Sequence, residues 1–423
     1  MKKRFKIMEG PFDVMLSIYV LFIATAFIID GPVKIYDGFV AILTSRGVLI
    51  TDYMAVGGIG ATLINAAMVG AFTVFMLKRV KVKPNGSTIM ALWLNTGFAM
   101  FGKNVFNMLP LTVGVWLFSR VKKEPFINFS LVALLSATLS PVVSGIGFHK
   151  GLNPLIGIPA GILVGIICGF IFAPVSSFTV RVHGGYNLYN LGLAGGLIST
   201  FIVAGAKSFG ITLDNELYWS TGNNFQLATV LFIISAGLIA LGLFSEGKFK
   251  KPDYAGLCRR PGRAVTDFYL LYGDSAFFNM GLLCALSTAL VLVFRADLNG
   301  PTLAGIFTIT GFAAFGKHLK NVTPVVAGAC VCAYINQMDF TAPVNIVAIL
   351  FSTGLAPIAG QYGWAWGLLA GYLHLNIITH IGFLNSGLNL YNNGYAAGLV
   401  ALLMVPVIMA FEKTKDHERN LHE

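Results

Sequence analysis

The chain is 423 residues long and carries a net charge of +11, yet only 11% of its residues are charged and 56% are hydrophobic. A soluble domain holds roughly a quarter charged residues to face water, so this composition excludes an ordinary soluble domain. Apolar runs of about 18–25 residues recur along the whole length, the span of a bilayer-crossing helix.

The first element follows the basic start MKKRFK and runs through FDVMLSIYVLFIATAFII (12–29). No small-x-small cleavage pattern follows it, so it reads as a retained membrane helix. Five more apolar stretches follow at about 53–77, 87–119, 126–147, 153–175 and 187–208. The stretch 87–119 is unusual, because the polar break GKN (102–104) splits it and both flanks, KRVKVK and RVKK, are basic. Each arm is about 15 residues, or roughly 22 Å of helix against a ~30 Å hydrocarbon core. A re-entrant hairpin with its tip at Phe101–Asn104 is the simplest structure; two very short crossings are the alternative.

From residue 211 onward the motifs return in the same order. TGFAMFGK (96–103) reappears as TGFAAFGK (310–317), NGST (85–88) as NGPT (299–302), LITDY (49–53) as AVTDF (264–268), and LLSATLSP (134–141) as ILFSTGLAP (349–357). GYNLYNLGLAGG (185–196) reappears as GLNLYNNGYAAG (387–398). The chain therefore reads as two membrane repeats, 1–210 and 211–423, each with five helices and a hairpin, at 87–119 and 301–336. Five crossings are odd in number, so the second repeat enters the membrane upside down. The basic clusters agree: they flank apolar runs as cytoplasmic segments do, and anionic headgroups rather than nucleic acid are their natural contacts. Only Lys34, Arg46, Lys150, Lys207 and Arg295 fall outside, with Lys103, Lys317 and Lys320 at the hairpin tips. Both termini are expected in the cytoplasm. The fold class is an all-α membrane protein with about ten transmembrane helices and two re-entrant hairpins in inverted-topology repeats, an architecture that places a solute site between the halves.

The Asn-x-Tyr-Asn-x-Gly pair predicts unwound backbone followed by a helix start, with Asn187, Asn190, Asn389 and Asn392 presenting amides beside Tyr189 and Tyr391. Such backbone at membrane depth is tolerated only where it is buried in protein or lines a wet cavity. It can coordinate a solute or ion, or it can serve interhelical hydrogen bonding and small-residue packing. Lys103 and Lys317, next to Asn104 and its counterpart, sit at the hairpin tips. A lysine near the bilayer centre costs at least a few kcal/mol and is retained for a task, and helix N-termini just after the tips add positive partial charge. Both suit an anionic solute. Asp52 and Asp267, at matching helix starts, can cap a helix or couple an ion. His374 is a possible proton carrier. Pro141 and Pro357 are expected to kink the fourth helix of each repeat, with nearby Ser and Thr re-satisfying freed carbonyls.

The five cysteines show no metal spacing or disulfide framework. No paired carboxylates or nucleophile–base order stands out, and the glycine strings lie inside membrane helices, so neither an enzyme nor a cofactor is expected. The paired GYNLYN/LNLYNNG and TGFAxFGK motifs resemble those of a family of bacterial membrane proteins, domain of unknown function 1576. That resemblance covers the whole chain and implies a multi-pass membrane protein. At the level of topology the chain also resembles urea channels, although their Leu-Pro-x-x-Thr-x-Pro-Phe signature is missing and LPLTVGVW (109–116) echoes it weakly. It further resembles elevator-type carriers, without their Ser-Asn-Thr tips. The expected function is transport of a small polar, anionic solute coupled to H⁺ or Na⁺ across the cell membrane. Alternatives are a passive channel for a small neutral solute and a non-transporting scaffold or sensor. The expected partners are lipid, the solute, the coupling ion and a second copy of the chain.

Overall fold

The computed structural model describes residues 10–48, 51–208, 210, 217–245, 248–264 and 266–422. The basic segment 2–6 at the start of the chain lies outside these. The first half of the chain holds α1 (Pro11–Ile29), α2 (Pro32–Thr44), α3 (Tyr53–Arg79), α4 (Gly86–Phe98), α5 (Val105–Val121), α6 (Phe126–Gly147), α7 (Pro154–Val182) and α8 (Asn190–Ser208). The second half holds α9 (Asn224–Leu243), α10 (Ser275–Val293), α11 (Gly300–Phe312), α12 (Leu319–Ile335), α13 (Pro343–Tyr362), α14 (Trp364–Ile381) and α15 (Asn392–His422). Ten of these helices are long and apolar enough to cross a bilayer, and α2, α4, α5, α11 and α12 are shorter. The chain is a multi-pass helical membrane protein. The expected boundaries of the long helices hold within a turn or two, whereas α2 was not foreseen. It is too short to register as a span and packs its buried face, Ile35, Gly38 and Ile42, on the start of α3.

Matching contacts recur in the two halves. Helix α1 packs on α3 as α9 packs on α10, and α5 packs on α7 as α12 packs on α14. Helix α3 breaks at Gly58, where φ is 83°, a left-handed value that glycine adopts without steric cost. Asp30 accepts from Gly60 N–H at 2.8 Å, capping the segment beyond the break, and pairs with Lys34. In the second half the short helix Phe268–Tyr272 ends at Gly273, φ 52°, before α10 begins.

Two helix pairs join the halves. α4 and α11 lie antiparallel, for Gly97 faces Ala304 while Gly311 faces Trp93 and Met90. A Cβ on Gly311 would come within 2.7 Å of the Trp93 Cβ, so only glycine allows this approach. Trp93 and Phe307 close the seam edge to face at 5.2 Å. α8 and α15 cross where Gly192 meets Gly394, and a Cβ on Gly192 would lie 2.7 Å from the Gly394 Cα. Small residues of this kind let membrane helices pack closely without a hydrophobic driving force between them.

Helices α6 and α13, the fourth apolar stretch of each half, are interrupted, though by a 3-10 turn rather than a simple kink. The turns are Ala137–Leu139 in α6 and Thr353–Leu355 in α13. Pro141 and Pro357 then occupy the first turn of the following segment, where a missing N–H costs nothing. Ser136, Ser140, Ser352 and Thr353 donate to carbonyls three residues back, as expected.

Candidate functional site

The two Asn-x-Tyr-Asn motifs form unwound backbone that leads into α8 at Asn190 and α15 at Asn392. Each inserts into the broken helix of the other half. Leu188 N–H donates to Gly354 O at 3.0 Å, and Leu390 N–H donates to Thr138 O at 2.9 Å. The first Asn of each motif reaches across as well: Asn187 Nδ2 donates to Gly394 O at 3.2 Å and Asn389 Nδ2 to Gly192 O at 3.1 Å. Their Oδ1 atoms accept from Tyr189 N–H and Tyr391 N–H, and Asn389 Oδ1 also accepts from the Thr138 hydroxyl. The second Asn of each motif is held locally. Asn190 bonds Ser176 O and His183, and Asn392 accepts from Asn385. Asn187, Asn389 and Asn190 thus bond neighbouring helices, Asn392 bonds the loop before it, and the two tyrosines form the centre.

The rings of Tyr189 and Tyr391 lie 4.8 Å apart, one from each half. Tyr189 rests on Phe312 at 5.2 Å, and Tyr391 rests on Phe98 at 5.1 Å, at corresponding places near the ends of α11 and α4. Lys317 Nζ donates to the Tyr189 hydroxyl and, at 2.8 Å, to Thr353 Oγ1. Thr353 in turn donates to Leu350 O. Lys317 Nζ also lies 4.4 Å from the Tyr189 ring centroid, a cation–π distance. Lys103 Nζ donates to Asn95 Oδ1 and lies 3.5 Å from Leu134 O. The Tyr391 hydroxyl, the counterpart of the one Lys317 holds, has no hydrogen-bond partner. Lys103 and Lys317 are 1% and 0% exposed, and neither forms an ion pair with a carboxylate among the described residues.

The turns between α4 and α5 and between α11 and α12 are fixed by neighbouring side chains. Asn104 caps α5, accepting from Phe106 and Asn107 N–H, while its Nδ2 donates to Ile42 O and Tyr53 Oη. His318 takes the matching place at α12. Asn65 on α3 donates to Ala99 O and Lys103 O at 2.8 and 2.9 Å, bracketing the turn. Asn279 on α10 does the same to Ala313 O and Lys317 O. This pair escaped sequence reading, although the two asparagines stand at matching depths in aligned spans and could have been found that way. Asn95 and Thr138 were missed too, having no counterpart in the other half.

Asp52 and Asp267 are helix caps that also tie the halves together. Asp52 accepts from Met54 N–H at 2.9 Å, from Ser220 N–H at 2.8 Å, and from Gly300 N–H at 3.1 Å at the start of α11. Asp267 accepts from Leu270 N–H and from Gly86 N–H at the start of α4. A cavity of about 760 Å³ opens beside α2, lined among others by Lys34, Asp37, Gly57 and Gly58, away from the tyrosine pair. Among the described residues, no group of three or more His, Cys, Asp or Glu is placed to hold a metal.

A family model described as "Protein of unknown function (DUF1576)" matches residues 32–208 and 248–410. The chain belongs to this family. The two matched segments of this DUF1576 chain contain every residue of the central cluster, Lys103 and Tyr189 in the first and Lys317 and Tyr391 in the second. No curated protein and no solved structure matches it.

Proposed function

We propose that the protein is a membrane carrier for a small polar, anionic solute, bound between Lys103, Lys317 and the two tyrosines. In this reading the chain is two copies of one unit, 1–210 and 211–423, inserted with opposite sense. α4–α5 and α11–α12 are re-entrant hairpins entering from opposite faces, and both termini lie in the cytoplasm of a cell whose plasma membrane holds the protein. The protein catalyses no covalent chemistry, and solute movement is coupled to H⁺ or Na⁺.

The observation that carries the solute class is the pair of buried lysines without a carboxylate. A charged lysine in the bilayer interior costs about 3 kcal/mol or more on insertion scales. Neutral oxygens from Asn95, Tyr189 and Thr353 offset that cost only in part, and an anion would complete it. The full burial of Tyr189, Lys317 and Tyr391 favours a carrier that opens by moving over a channel with a standing water path. Antiparallel α4 and α11 and the reciprocal contacts of the two Asn motifs support the inverted pairing, because related contacts then lie about one pseudo-twofold axis.

The test is a panel of small anions (carboxylates, bicarbonate, phosphate) against the purified protein, first by thermal shift and then by uptake into proteoliposomes. At least one anion is expected to raise the unfolding midpoint and to show saturable uptake, with both effects lost in Lys317→Met and weakened in Lys103→Met. An anion response that survives in the double variant overturns the site. Linear, unsaturable flux would replace the carrier with a channel. Absence of flux with a stable fold would make the protein a scaffold or sensor.

A further inference from the structure

A second polar cluster lies where α14 gives way to α15, and nothing in the carrier reading uses it. His374 sits on α14, Asn385 follows the 3-10 turn Gly382–Leu384 that ends it, and Asn392 and Asn393 open α15. His374 and Asn385 are fully buried and Asn392 is 3% exposed. His374 Nε2 is 3.2 Å from the Asn393 carbonyl oxygen. A carbonyl can only accept, so Nε2 carries the hydrogen and neutral Nδ1 is left with a bare lone pair. Asn385 Nδ2 donates to Asn392 Oδ1 at 3.0 Å, which orients the Asn385 amide and leaves its own Oδ1 over. Three buried atoms then have no partner: His374 Nδ1, Asn385 Oδ1 and Asn393 Oδ1.

All three are acceptors. A water molecule has two hydrogens and leaves the third acceptor unmet, and an anion meets only lone pairs. A cation suits all three. The set contains no carboxylate, so it cannot replace the tightly held hydration of a divalent ion, which calls for charged oxygen ligands. The acceptors therefore decide the sign. We infer that His374, Asn385 and Asn393 form a binding site for a small monovalent metal cation, Na⁺ or K⁺.

The other half explains why there is only one such junction. GYLH (371–374) corresponds to GFIF (169–172), so Phe172 stands where His374 does. His183 stands for Asn385, and Leu191 for Asn393. His183 bonds Asn190 directly at 2.9 Å, and that junction has no unmet acceptor at these places. Occupancy of the site stands on its own; only its coupling to solute movement rests on the carrier reading.

The test uses the full chain in detergent, unfolded thermally in NaCl, KCl or choline chloride at one ionic strength. A saturable rise of the midpoint with Na⁺ or K⁺ and none with choline is expected. His374→Phe and Asn393→Leu, which install the residues the first half already packs, should raise the half-saturating cation concentration at least tenfold. ²³Na line broadening on the wild-type protein gives an independent readout that needs no variant. Equal midpoints in choline and metal salts without line broadening, or a cation response unchanged in both variants, overturns the site. An absent anion response with the cation response intact would sink the carrier reading alone.

Discussion

Asp52→Ala tests the joint between the two halves. The carboxylate is fully buried and accepts three backbone N–H groups, those of Met54, Ser220 and Gly300, at 2.8 to 3.1 Å. Losing the helix cap alone costs about 1 kcal/mol. The other two donors are left buried without an acceptor, at about 1–3 kcal/mol each. Allowing for some relaxation, the variant should lose roughly 3–6 kcal/mol. Asp267→Ala removes the corresponding joint at Gly86, but Asp267 is half-exposed and water can replace it, so about 1–2 kcal/mol is expected. Equilibrium unfolding in mixed micelles of mild detergent and dodecyl sulfate reads both. Asp52→Asn keeps one acceptor oxygen and should fall between wild type and alanine, which covers the case where the alanine variant does not fold. A loss below about 1 kcal/mol for Asp52→Ala, or a larger loss for Asp267→Ala, would refute the argument that this carboxylate carries the joint.

The two tyrosines should behave differently despite their symmetry. Tyr189→Phe removes the hydroxyl that meets Lys317 and Thr353 and should cost about 1–3 kcal/mol, whereas Tyr391→Phe removes a hydroxyl without a partner and should leave stability within about 0.5 kcal/mol in the same titration. Gly192→Val should prevent the α8–α15 crossing, since a Cβ there lies 2.7 Å from the Gly394 Cα; a sharp loss of monodisperse protein on size exclusion is expected, and normal yield would contradict the packing.

Much of the architecture could be read from the residues. The long apolar runs located the five spans of the first half to within a turn or two, and the duplicated motifs pointed to their counterparts in the second. The helix starts at Asn190 and Asn392 followed from the turn preference of Asn and Gly. α2 was hidden because thirteen residues of amphipathic helix leave no span-length signal. The partners were hidden for a different reason. Nothing local in Asp52 points to Gly300, because that hydrogen bond depends on how helices far apart in the chain pack. The Asn motifs were legible as special but not as mutual: each could coordinate a solute or bond a neighbouring helix, and only the packed structure shows that each bonds the other half of the chain. His374 was noticed as an ionisable group, and only the carbonyl of Asn393 reveals which of its nitrogens is left free.

Opposed insertion of the two halves is the proposal on which the site, the coupling and the orientation of every loop rest. It is tested most directly by placing single cysteines at Lys83, just before α4, and at Arg295, just before α11, in a cysteine-free background, and labelling intact cells with a membrane-impermeant maleimide. The account predicts labelling of the Arg295 position from outside and of the Lys83 position only after the membrane is opened. Labelling of both positions from the same side would contradict it.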